Sequence, residues 1–158
     1  MNETGRLFAC LKMVGIDPKM ETFSERKRVQ KMVYLLDKVF NLDFGFSYNW
    51  YLHGPYSPEL TKIIFDVIEK EREDIAEPVE LSPKEKDKIR RLKLFLNDDI
   101  ESTDKLELLV SLHYLLDCWP DTDSRVEDAV KFLKSKKPYF SDEKISDALK
   151  RLHDLENQ

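Results

Sequence analysis

One segment of this chain restricts its fold more than any other. Residues 28–40 carry an apolar stripe (Val29, Met32, Val33, Leu36, Val39, Phe40) at the i, i+3, i+4, i+7 spacing of an amphipathic helix. The period then changes. Phe46, Tyr48, Trp50 and Leu52 alternate with Ser47, Asn49, Tyr51 and His53, the two-residue repeat of a half-buried strand. Gly54-Pro55 is expected to end that strand, since glycine permits a sharp corner and proline fixes the next φ. Ser57-Pro58 then supplies an N-cap and an N1 proline, so a new helix is expected over about Pro58–Glu73, with Leu60, Ile63, Ile64, Val67 and Ile68 on one side.

The remaining helices announce themselves by their starts. Leu7, Leu11 and Val14, with Phe8 and Cys10, form a stripe over 3–16. Thr22-Phe-Ser-Glu25 has capping-box spacing, as have Ser82-Pro-Lys-Glu85 and Ser124-Arg-Val-Glu127. They predict helices to about Phe40, Leu96 and Lys136. Thr103–Trp119 is the most apolar helix and is closed by Pro120, and Ser141 caps a last one over Asp142–Leu155. An isolated strand is not stable, so 46–52 is expected to pair antiparallel with 77–81, where Pro78 suits an edge. The fold class is therefore mainly α, about seven helices with a small two-stranded antiparallel sheet. A single domain over 1–158 is expected. Asn97–Ser102 is the one seam, dividing a helix-strand unit (1–97) from a helical extension (102–158) too short to make more than a marginal core alone.

Composition narrows the function classes. The charged fraction is 36%, against roughly 25% in ordinary domains. The net charge of −5 argues against non-specific wrapping of nucleic acid. No stretch is long and apolar enough to span a bilayer, and Met1-Asn-Glu-Thr does not begin a secretory signal, so a cytoplasmic protein without a membrane partner is expected. Cys10 and Cys118, both inside apolar helical patterns, read as reduced core thiols.

Catalytic chemistry has no foothold. His53, His113 and His153 are isolated from one another and from any Cys-x-x-Cys, so no metal site or other cofactor is expected. Ser57 comes three residues after Gly54, but Pro58-Glu59 breaks the nucleophile-elbow pattern, and capping accounts for it. The four glycines, at 5, 15, 45 and 54, form no phosphate loop. Carboxylates interleave with Lys and Arg at helical spacing and read as solvated faces. The expectation is a protein that is not an enzyme.

At Gln30-Lys31-Met-Val-Tyr34-Leu35 and Trp50-Tyr51-Leu-His-Gly54-Pro55-Tyr56-Ser57-Pro-Glu-Leu60 the chain resembles the YwgA-like proteins of bacteria and archaea. It is more distantly similar to the Panacea-domain proteins, which include antitoxins and a protease adaptor. Both carry a Gln-Lys-x-x-Tyr helix followed by an aromatic-Gly-Pro corner, and the match covers about 28–60. The Panacea resemblance implies a helical protein, winged-helix-like in its N-terminal part, that acts by binding another protein.

Two sets of residues are candidates for binding. Tyr48, Trp50, Tyr51 and Tyr56 crowd a small region. Trp50 is expected to face the helix at 28–40, and Tyr51 to leave the strand on the opposite, exposed face. Tyr51, His53 and Tyr56 are the candidate protein-binding set, although His53 can equally bond the backbone of its turn. Arg26, Lys27, Gln30, Lys31 and Tyr34 are the candidate nucleic-acid set: cations at a helix start suit phosphates, and neighbouring polar side chains suit base edges. A solvated helix end explains the same cations without DNA. The leading reading is a cytosolic module for a protein partner, antitoxin-like or adaptor-like. The alternative is a winged-helix DNA-binding regulator.

Overall fold

The computed structural model describes residues 3–16, 21–70 and 79–157. Among them are seven α-helices and one two-stranded antiparallel sheet. The order is α1 (Glu3–Val14), α2 (Phe23–Tyr34), β1 (Asn49–Tyr51), β2 (Gly54–Tyr56), α3 (Pro58–Lys70), α4 (Pro83–Leu96), α5 (Thr103–Cys118), α6 (Arg125–Lys136) and α7 (Asp142–Glu156). The most apolar helix lies at the centre: α5 packs against α2, β2, α6 and α7. Leu106, Leu109, Val110 and Leu112 are buried there, each stabilising by about 1.5–3 kcal/mol. A single apolar cluster runs from Leu7 in α1 to Leu152 in α7, so the core is continuous across the 3-10 turn at Asn97–Glu101.

The caps explain where the helices start. Thr22 accepts from the Glu25 amide while the Glu25 carboxylate accepts from the Thr22 amide, and Ser82 and Glu85 do the same at α4. Each such cap is worth about 1 kcal/mol. Ser141 accepts from the Lys144 amide at α7. The box expected at Ser124 does not form. Its hydroxyl donates to the Asp128 carboxylate at 2.9 Å, and α6 starts without a side-chain cap.

Two further expectations are corrected by the backbone. The strand does not begin at residue 46 but at Asn49. Past Tyr34 the helix widens into a π turn (Leu35–Val39) that buries Asp37, whose carboxylate accepts from the Phe44 amide at 2.9 Å and the Phe46 amide at 3.3 Å. With Asn41, Asp43 and Gly45 at positive φ, this segment becomes an irregular loop clamped by one carboxylate. The strand partner is not 77–81 either. Val79–Leu81 is not strand, and Glu77 and Pro78 lie outside the described residues, as do the last residues expected of α3. Instead β1 turns at Leu52-His53 and pairs with β2, in the register Asn49↔Tyr56, Trp50↔Pro55, Tyr51↔Gly54. The Gly-Pro corner is the start of the second strand. Proline is tolerated because each strand of a two-stranded sheet is also an edge.

Gly54 is required at that point twice over. Its φ is +102°, and a Cβ there would meet Ser111 Oγ of α5 at 2.9 Å. The hairpin can therefore lie directly on α5 only through a glycine.

Candidate functional site

The hairpin, α2 and α3 enclose a pocket of about 500 Å³, within the size range of ligand sites. It gathers residues from both candidate sets. Tyr51, His53 and Tyr56 line it from the hairpin, and Arg26, Lys27, Gln30 and Lys31 from α2. The sequence presents these as a protein-binding group and a nucleic-acid-binding group. The fold makes them walls of one cavity.

Several side chains do not do what their spacing suggests. Gln30 is buried and its amide is spent on α3: Nε2 donates to Ser57 O at 3.0 Å and Thr61 Oγ1 at 2.8 Å, while Oε1 accepts from the Ser57 amide at 3.1 Å. Both amide hydrogens are used and the oxygen is turned to the Ser57 amide, so the side chain is not presented to a base edge. Tyr34 is buried outside the pocket, its hydroxyl 2.8 Å from His113 Nδ1 and its ring edge-on to Tyr48. Burial holds the Tyr34 phenol well above its usual range and His113 below its own. Trp50 faces α5 and α6 rather than α2, against Tyr114 and Phe132. Cys10 is buried as expected, but Cys118 is exposed at the last residue of α5.

Tyr51 is exposed as expected, edge-on to Tyr56 with ring centroids 5.0 Å apart. His53 does not bond its turn. It lies edge-on to Phe23, with Nδ1 3.8 Å from Glu107 Oε1. Burial and the neighbouring Lys27 lower its pKa, so the ring is neutral at neutral pH and the contact is not an ion pair.

The rim is aromatic and cationic. Lys27 Nζ sits 5.1 Å from the centre of the Phe23 ring, and the Arg26 guanidinium 5.8 Å from that of Phe65. Below the rim lies an unequal set of buried charges. Lys31 and Lys137 are each only 2% exposed, and Glu107 is 7% exposed. Lys137 Nζ donates to Leu52 O at 2.6 Å, lies 3.4 Å from Glu107 Oε2, and sits over the Trp50 ring at 5.4 Å. The same Glu107 oxygen accepts from the Tyr139 hydroxyl. Lys31 makes no ion pair among the described residues. Burial pushes its ammonium down to about 8, opposed at longer range by Glu107 and, more weakly, by Asp104.

Five contributors were not legible in the sequence. Phe23, Leu52 and Phe65 read as unremarkable apolar positions, yet all three line the pocket and are exposed. Glu107 and Lys137 carried one available signal: an acid inside the most apolar helix needs a buried cation. Among the described residues no group of His, Cys, Asp and Glu side chains could hold a metal ion, and no helix is long and apolar enough to cross a membrane. No family model, no curated protein and no solved structure matches this chain.

Proposed function

We propose that this chain is a non-enzymatic binding module that recognises a protein partner at the mouth of the pocket, as an antitoxin-like or adaptor-like component. One observation carries the reading. Of the seven exposed large hydrophobics among the described residues, four (Phe23, Tyr51, Leu52 and Phe65) line this one pocket. Scattered apolar residues on a surface need no explanation, but a clustered set rimmed by cations suits a contact surface. The Panacea resemblance at Gln30–Leu35 and Trp50–Leu60 supports the same class of action.

The test is capture of a partner from the native host by wild type and by Tyr51→Ala/Leu52→Ala. The double variant is expected to lose the partner and keep the wild-type melting temperature. A partner retained undiminished would end the proposal. Against the DNA-binding alternative stands the engagement of Gln30 and Tyr34 inside the protein, which leaves Arg26 and Lys27 to touch phosphates without a base-reading neighbour. A DNA shift in 150 mM salt that weakens steeply with added salt would reverse that preference.

A further inference from the structure

We propose that the pocket captures a carboxylate carried between apolar side chains on an extended segment of the partner protein, with Lys31 receiving the carboxylate. This deepens the partner-binding reading and rests on it.

Three charged side chains are buried together here, two lysines and one glutamate. Glu107 is committed: one oxygen holds Lys137 and Tyr139, and the other faces the neutral His53. Lys137 is doubly held, by Glu107 and by Leu52 O. One buried cation, Lys31, is left over, and its side chain lines the cavity. A buried charge without a partner is costly and is ordinarily paired or hydrogen-bonded. Its missing counterpart is an anion that enters from outside. Arg26 and Lys27 at the rim give that anion a favourable approach.

The walls fix the rest of the ligand. Phe23, Tyr51, Tyr56, Ile64 and Phe65 present rings and aliphatic carbon, so the anion must bring an apolar body. A free phosphate or a nucleic-acid backbone does not fit such walls, because most of the lining has nothing polar to offer it. The exposed apolar side chains then favour a chain segment over a small acid. A small ligand is swallowed by its pocket, whereas Phe23 is 61% and Leu52 82% exposed at this mouth. A segment running across the mouth covers both while one acidic side chain reaches down to Lys31.

Random heptapeptides displayed on phage test this on the folded full chain, with Lys31→Met panned in parallel. Methionine fills similar space without a charge, so the variant is expected to fold. Wild type should enrich peptides with Asp or Glu beside Trp, Phe or Leu, and converting the acid to its amide should weaken binding at least ten-fold. Lys31→Met should enrich apolar peptides without the acid. Acid-free peptides on wild type would overturn the carboxylate assignment and leave the apolar docking surface standing. No enrichment, with 3-phenylpropionate shifting the NMR signals of Lys31, would overturn the segment and make this a small-acid site. If neither peptides nor 3-phenylpropionate bind, the inference is wrong altogether, and capture by the Tyr51→Ala/Leu52→Ala variant decides the parent reading separately.

Discussion

Lys31 and Lys137 are the same residue type at the same burial, beside one hairpin, and they do opposite things. Lys137 is pinned by a carbonyl, a carboxylate and an indole face. Its desolvation is repaid on the spot, and it fastens the β1–β2 turn to the end of α6. Lys31 has the desolvation without the repayment, and burial lowers its pKa to about 8. Burial alone therefore does not tell a fastener from a charge held ready. What separates them is whether the neighbours complete the electrostatics, and around Lys31 they do not.

The largest effect should come from breaking the completed side. Lys137→Met strands the Glu107 carboxylate and frees Leu52 O, and removing one partner of a buried pair typically costs about 3–5 kcal/mol. Urea unfolding should show this loss. A variant as stable as wild type would mean that the two lysines are equivalent after all.

The same substitution on the open side should have the opposite sign. Lys31→Met removes an uncompensated buried charge and should stabilise the protein at pH 7 by about 1–3 kcal/mol. The advantage should fade with pH. Between about 8 and 10.5 the unfolded chain still holds a proton that the folded chain has released, so wild-type stability rises through that window relative to the variant. Paired urea titrations at pH 7.0, 8.5 and 9.5 measure the gap, and a gap that widens with pH would contradict the assigned direction.

A smaller loss is expected where the hairpin meets α5. Gly54→Ala combines a left-handed φ with a close approach to Ser111 Oγ and should cost about 1–3 kcal/mol. Ser111 Oγ has no hydrogen-bond partner, so Ser111→Ala should be nearly neutral alone and return part of the loss in the double variant. Additive effects would mean that only the φ matters. Least of all, Tyr51→Ala should change stability by about 0.5 kcal/mol or less, being a surface substitution. A larger shift in melting temperature would make that ring a structural prop of Tyr56.

Local signals were readable wherever the physics is local. Thr22, Pro58, Ser82 and Ser141 mark helix starts because capping is settled within four residues. The loop at 40–48 was not readable, because its conformation is imposed by Asp37 reaching the Phe44 and Phe46 amides, and alternation of Phe46, Tyr48 and Trp50 imitates a strand. The hairpin was missed for a related reason: Pro55 looks like a terminator until its partner is seen to be Trp50. In the site, Tyr51, His53 and Tyr56 were found from aromatic crowding, and Arg26, Lys27 and Lys31 from charge density. Helical spacing places Gln30 and Tyr34 on a face with Arg26 and Lys27 but cannot say that Gln30, Tyr34 and the neighbouring Lys31 are buried. That depends on α3 and α5, which lie far along the chain.

Gln30 has a consequence for how quickly and cheaply anything enters the cavity. Its amide grips the N–H and the carbonyl of Ser57 together, imitating the pairing of two backbone strands with a single side chain. Through Ser57 and Thr61 the same amide joins α2 to the start of α3, two walls of the cavity. A ligand meets a receptor already in shape, so it forgoes little of its binding energy to ordering loops. Association should then proceed in one step limited by encounter, with affinity differences among ligands showing mainly in how long each stays.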